Sequence, residues 1–241
     1  MSDAMKIIFI SVLMLAALAS APLALAKKPL PDPAQLAVNT QGFLSAHPDM
    51  RWRQMAMEHY LAGNYEDALG DFMRSARFAD KGSQAMVAEM IWTGQGTTVD
   101  RARGYAWMDL AAERGYKDFL KLREIYWNEM NPSERDQAIG IGQEIYAEYG
   151  DDVAKPRLAR KINQGRRNVT GSRTGFGGNL SILVPYANSW ISIPADKYYA
   201  DEFWQPAEYF KWQDNLWHEY QRGRVQVGAL EVVPKPDAPA Q

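Results

Sequence analysis

The 241-residue chain contains no cysteine. That absence excludes disulfides, a lipid-modified cysteine anchor and any thiolate zinc site. Histidine is scarce too: His47, His59 and His218 are the whole supply, and none belongs to an H-E-x-x-H pattern. A zinc site would have to collect carboxylates from scattered positions. His59 falls on an apolar helical face and reads as a core histidine. A serine nucleophile lacks its elbow, because Gly171-Ser172-Arg173 carries only the beginning of G-x-S-x-G. There is no basic surplus: 27 Lys and Arg against 29 Asp and Glu leave a net charge of -2, which excludes the strong positive field of a nucleic-acid binder. Past Ala26 no run is long and apolar enough to span a bilayer.

What is present begins at the N-terminus. Lys6, an apolar run, Pro22, and small residues at Ala24 and Ala26 predict a secretory signal peptide over residues 1–26, cut after Ala26. Met5 is a better start than Met1, since Asp3 is out of place in a positive leader. The rival is an uncleaved anchor, because Ile7 to Ala26 is long enough to cross a bilayer. Cleavage predicts a periplasmic or secreted protein without stable membrane insertion. Residues 27–47, with Pro29, Pro31 and Pro33, read as a mobile leading segment, and 234–241 as a disordered tail.

Helical periodicity then runs over residues 48–150. Trp52, Met55, Ala56, His59, Tyr60 and Gly63 share one face of a first helix. Ala68, Leu69, Phe72, Met73, Ala76 and Ala79 stripe a second, closed by Lys81-Gly82. A third runs from Ser83 through Met86, Met90 and Ile91 to Gly94. In the fourth, Gly104, Tyr105, Trp107, Met108, Ala111 and Ala112 sweep an apolar arc; Asp109, Glu113 and Ala102 lie toward the other side. A third pair follows: Phe119, Leu122 and Tyr126 stripe one helix, and the cap Asn131-Pro132-Ser133-Glu134 opens another. Ala56 superposes on Ala88 and Ala76 on Ala112, so the second pair is four residues longer, and the extra residues form the loop after Gly94. Helix pairs of this length, each unable to bury its apolar face alone, predict a short α-solenoid.

The second pair, "AMVAEMIWTGQGTTVDRARGYAWMDLAAERGYKDF", resembles a Sel1-like repeat through Gly94, Gly96, Asp100, Trp107, Ala111, Ala112 and Gly115. The first pair looks more like the related tetratricopeptide repeat, with Ala56, Tyr60, Gly63, Tyr65, Ala68, Phe72 and Ala76 in place, but without the extended loop. The resemblance covers about residues 50 to 120 and implies a helical solenoid for protein binding, with no catalysis or cofactor. Gly94-Gln95-Gly96 follows a helix and has no lysine behind it, so it reads as a turn rather than a phosphate loop.

Residues 151–178 read as a basic, glycine-rich connector. Lys155, Arg157, Arg160, Lys161, Arg166, Arg167 and Arg173 occur there with no acidic residue from Lys155 to Arg173. The run is either a solvated face or a site for an anionic envelope polymer, lipid headgroups or an acidic protein patch. Residues 179–233 read as an aromatic-rich α+β appendage. Leu180, Ile182 and Val184 alternate, Trp190 to Ile193 is β-prone, Pro206 opens a helix, and Val225 to Val233 alternates again. Nine aromatics between Tyr198 and Tyr220 are expected to fold back on the helices, with Trp204 and Trp212 left outward as stacking platforms. Asp201, Glu202, Glu208, Asp214 and Glu219 among them are carboxylates of the kind a glycosidase cleft uses, or simply the polar side of a helix.

The fold expected is therefore mainly α: a short solenoid with a C-terminal α+β appendage. The function expected is an exported, non-enzymatic scaffold that binds a protein in the bacterial envelope. The alternative is a carbohydrate or cell-wall binding module, conceivably hydrolytic, centred on the aromatic segment.

Overall fold

The computed structural model describes residues 36–170, 181–186 and 189–221, and the side chains of 168–170 and 219–221 are not among them. The signal peptide, Gly171 to Leu180 with Arg173, the alternation over Val225 to Val233 and the tail 234–241 lie outside the described residues.

The described residues are mainly helical with one two-stranded sheet. The helices are α1 (Gln41–Ala46), α2 (Pro48–Leu61), α3 (Tyr65–Ala76), α4 (Lys81–Thr93), α5 (Arg101–Ala111), α6 (Lys117–Glu129), α7 (Pro132–Tyr149) and α8 (Asp151–Thr170). After them come β1 (Ser181–Tyr186), β2 (Ser189–Pro194), two single turns, α9 (Ala195–Tyr198) and α10 (Asp201–Trp204), and α11 (Pro206–Gln221).

Local chemistry sets the boundaries. Asp80 caps α4 by accepting the Ser83 amide at 2.7 Å, and Asp100 caps α5 by accepting that of Arg103 at 2.9 Å. Asn131 and Glu134 form the reciprocal capping box that opens α7 behind Pro132. Gly94 ends α4 in the left-handed region at φ 78°, a C-cap that costs glycine nothing. Gly96 is also left-handed, and a Cβ there would collide with the backbone of Tyr65. The loop after α4 is thus a turn folded tightly onto the start of α3.

Neighbouring helices pack in sequence, α2 on α3, α3 on α4 and α4 on α5, while α5 also packs on α6 and α7. Their core holds Ala68, Phe72, Ala76, Trp107, Ala111 and Tyr149, with the Trp107 and Tyr149 rings 4.6 Å apart. Gly104 lets α5 approach α4 closely, since a Cβ would lie 3.1 Å from the Trp92 backbone nitrogen.

A second core joins distant parts of the chain. Phe43 of α1, Leu158 and Ile162 of α8, Val184 and Ile193 of the hairpin, and Tyr198, Phe203, Trp204 and Tyr209 of the aromatic segment bury one another. His47 is buried among them, its Nδ1 2.9 Å from the Phe43 carbonyl and its Nε2 2.8 Å from that of Phe203. Each large ring so placed contributes about 1.5 to 3 kcal/mol of burial. The hairpin pairs Ser181 with Pro194 and Tyr186 with Ser189.

Four expectations are corrected. The leading segment includes α1, capped by Thr40 and buried through Phe43 and Ala46; its six residues were too few for a periodic signal. Lys81-Gly82 opens a helix instead of closing one, because α3 has already ended at Ala76 and Asp80 supplies the cap. Residues 151–170 are helix α8, not a connector: Ala154, Leu158 and Ile162 form a narrow apolar stripe at i, i+4 and i+8 that the surrounding charges masked. Ala102 is only 3% exposed, packed with Met130 and Ala138, since α5 is covered on both sides. Accordingly Ala102→Leu and Ala111→Leu should each destabilise by about 1 to 3 kcal/mol through overpacking. Denaturant midpoints measure both, and an unchanged midpoint for Ala102→Leu would return that residue to an exposed face.

Candidate protein-binding groove

The alternate helices α2, α4 and α6 present one face to a groove of about 580 Å³. Met57, Met86, Leu122, Leu216 and Trp217 line it, and Arg53 and Glu89 stand among them. Methionine suits such a surface because its unbranched, polarisable side chain adapts to different partners. Met57 and Leu216 are exposed, so the apolar lining is open to solvent.

One end of the groove is already filled by α11. Trp217 lies against Phe119 at 5.2 Å and Tyr116 at 6.0 Å, and it crosses Gly82, where a Cβ would be 2.6 Å from the indole. Only glycine at that position lets the ring seat so closely.

Beneath α11 lies a buried ionic network. Arg114 donates two hydrogen bonds to Asp151, at 2.8 and 3.0 Å, one to Asp214 at 3.0 Å and one to the Ala79 carbonyl at 3.0 Å. Tyr116 donates a short hydrogen bond to Asp214. The fully buried Lys81 ammonium reaches Glu113 at 2.6 Å, Gln84 at 2.9 Å, the Leu110 carbonyl at 3.1 Å and Asp151 at 3.2 Å. Burial lowers the Lys81 pKa against the pull of Asp151 and Glu113. Burial works against the Asp151 carboxylate too, but Arg114 and Lys81 outweigh it and hold its pKa well below the usual range. The network also satisfies the strained turn at Ala79, whose φ is 63°. Its members sit on α4, the Ala112–Arg114 turn, α8 and α11, and so fix α11 across the groove.

Next to it is a second buried acid. Asp49 accepts from the Tyr209 hydroxyl at 2.5 Å, Gln213 donates to that hydroxyl at 2.8 Å, and Asp49 Oδ1 has no partner among the described residues. Burial pushes the Asp49 carboxyl up to about 7.

The residues singled out from sequence are distributed differently. Gly63, Ala68, Ala76, Gly94, Gly96, Asp100, Trp107, Ala111, Ala112 and Gly115 serve turns, caps and the helix core. Thr97, Asp100, Arg103 and Glu144 line a separate, more polar cleft of about 420 Å³. On α8, Arg157 donates to the carbonyls of Arg77 and Glu148, and Arg167 to that of Asn163 at 3.3 Å. Lys155 pairs with Asp151 at 2.7 Å, Arg160 and Lys161 are exposed, and Arg166 is half-buried. Trp204, expected outward, is fully buried with its indole donating to the Tyr198 carbonyl at 2.7 Å, and Trp212 is half-buried. The flanking polar residues misled, because a turn as short as α10 does not keep its polar and apolar sides in helical register. His59 pairs with Asp71 at 3.1 Å and is more open than a core residue.

The described carboxylates of the aromatic segment do not converge, and the Glu219 side chain lies outside the described residues. Asp214 is held by Arg114 and Tyr116, Glu208 pairs with Lys211 at 2.7 Å, and Asp201 and Glu202 are exposed. Among the described residues no group of three or more His, Asp or Glu is placed to hold a metal ion. The residues missed were Lys81, Arg114, Asp151 and Asp49. A buried charge has no periodic signature, since its partners come from elsewhere in the chain.

The chain matches no protein-family model, and no curated protein or solved structure is similar to it.

Proposed function

We propose that this chain is an exported, non-enzymatic protein-binding scaffold of the bacterial envelope, built on Sel1-like and tetratricopeptide-like helix pairs. The observation that carries the reading is the open apolar groove on α2, α4 and α6. Alternate helices of stacked pairs form a continuous surface whose side chains can vary without disturbing the packing between pairs. An apolar segment of a partner protein is the ligand it suits, read as helix-in-groove or extended-peptide recognition. The signal-peptide pattern of residues 1–26 supports export. No described helix is long and apolar enough to cross a membrane. The exposed Arg160 and Lys161, with the flanking Arg166 and Arg167, give an anionic partner a secondary contact.

The test is crosslinking in the native envelope followed by mass spectrometry, comparing wild type with the double variant Met57→Glu, Leu216→Glu, at two exposed positions of the lining. Charges placed in the groove should reduce capture of the protein partner by about tenfold or more, equivalent to about 1.4 kcal/mol, with the melting temperature nearly unchanged. Equal capture by both proteins would overturn the groove as the binding surface. Recovery of envelope polymer and no protein would favour a carbohydrate-binding module instead. In that case the exposed Trp190 of β2 is the available platform, since Trp204 is inside.

A further inference from the structure

We infer that α11 is a cover over one end of the groove that acid clamps and rising pH releases, with the buried Asp49 carboxyl deciding between the two positions. The inference rests on the groove being a peptide-binding surface and adds its regulation.

Three observations lead there. The first is how α11 is held. Tyr209 bonds Asp49, Gln213 bonds Tyr209, and Asp214 bonds Arg114 and Tyr116, so much of its attachment to the other helices is polar. Trp217 adds an apolar contact on Phe119 and over Gly82. Gln213, Leu216 and Trp217 also line the groove, so withdrawing α11 extends the open apolar face at that end.

The second is the isolation of Asp49. It lies in the first turn of α2, is 2% exposed, and has one carboxyl oxygen unpartnered among the described residues. The cavity between it and α11 is about 10 Å³, at the lower limit of room for one water molecule. A charge formed there cannot be hydrated in place. Solvent reaches it once Tyr209 withdraws.

The third is the surrounding charge. The cations around Asp49 are already engaged: Arg53 of α2 with Asp80, Lys81 of α4 with Glu113 and Asp151, and Arg114 with Asp151 and Asp214. Asp80, the cap of α4, opposes a second negative charge. His47, whose ring is 4.8 Å from that of Tyr209, is kept neutral by burial until about pH 4. Uncharged groups complete the enclosure, the Ser75 hydroxyl of α3 on the Asp49 carbonyl and Phe78, Ala79 and Leu158 along the cavity. In this setting the carboxyl is pushed from 3.8 up to about 7, and with α11 withdrawn it returns toward its ordinary value. The docked helix is therefore favoured most strongly in acid, and the preference is lost as pH rises from about 4 through about 7.

Backbone hydrogen exchange of the full chain at about pH 5.5 and 8, corrected for the intrinsic pH dependence of exchange, tests this without any partner. Protection of the α11 amides should fall at least about tenfold between the two conditions. At the higher pH it should also lie at least about tenfold below that of α5, which is enclosed by α4, α6 and α7. Asp49→Asn, which cannot ionise, should keep α11 protected at both. Gly82→Ala, whose added Cβ unseats Trp217, should lower α11 protection at both and leave the pH dependence in place. Equal protection of α11 and α5 at the higher pH overturns the inference, because α11 then leaves only when the whole fold opens. A pH dependence of α11 that survives undiminished in Asp49→Asn overturns it as well. These readouts report the position of α11 alone, so they can succeed while envelope crosslinking fails, or fail while it succeeds.

Discussion

Arg114→Ala should destabilise the fold by about 3 to 5 kcal/mol, the range for removing one partner of a buried, hydrogen-bonded ionic cluster. The substitution removes two bonds to Asp151, one to Asp214 and one to the Ala79 carbonyl. It leaves Asp151 with Lys81 and Lys155, and it leaves a buried carbonyl at a left-handed alanine without its donor. Arg114→Lys should recover little, because an ammonium cannot supply the planar fork that meets Asp151 in two places. Denaturant unfolding measures both, and a loss below about 1 kcal/mol for Arg114→Ala would reduce the network to an ordinary surface cluster. The pH dependence has a definite sign. The folded-state pKa of Asp151 is depressed, so its contribution is present above the unfolded value near 4 and is lost as pH falls through the lower folded value. Acid should therefore weaken the wild type below about pH 4 more than it weakens Asp151→Asn.

Asp49→Asn should become increasingly stabilising, relative to wild type, as pH rises from about 4 to 8, by on the order of 4 kcal/mol over the whole interval. Burial is the main cause of the Asp49 shift, and Asp80 adds to it, against the Tyr209 hydrogen bond and the Arg53 charge. An acid whose folded pKa is raised from 3.8 to about 7 contributes stability that is complete below the unfolded value. That stability disappears as pH climbs through about 7, where a charged carboxylate with one oxygen unpartnered among the described residues must stay buried. His47 slopes the opposite way: burial lowers its pKa from 6.5 to about 4, so the folded state loses stability as the ring is forced to charge in acid. The two slopes oppose each other in the wild type, which is why the difference between variant and wild type is the informative quantity. Melting temperatures at about pH 4, 6 and 8 measure it. A difference independent of pH would mean that Asp49 is ionised in both states throughout.

Both predictions concern groups that sequence reasoning passed over, while much of the surrounding helix layout was legible. Asn131-Pro132-Ser133-Glu134 announces α7 by itself, since a capping box needs only residues three apart. Gly94 marks the end of α4 because the left-handed region excludes most side chains whatever the tertiary context. The alanine and tryptophan of α5 declare one buried face through periodicity. The covering of the opposite face of α5, which buries Ala102, depends on where α7 comes to rest.

What the sequence determined alone is what short-range chemistry decides: caps, left-handed turns, amphipathic stripes and the mainly helical class. Only the tertiary structure decided which surfaces meet. Trp204 turned inward because Phe43, from more than 150 positions earlier, offered it a partner ring at 5.8 Å. Helix α8 became a core element because its thin stripe of Ala154, Leu158 and Ile162 found α1 and the aromatic segment to cover it. Lys81, Arg114 and Asp151 are tolerated inside because each neutralises another brought from a different helix. A charge or an aromatic ring has no preferred depth of its own: its environment is set by groups separated from it by scores of residues, and local patterns carry no record of that arrangement.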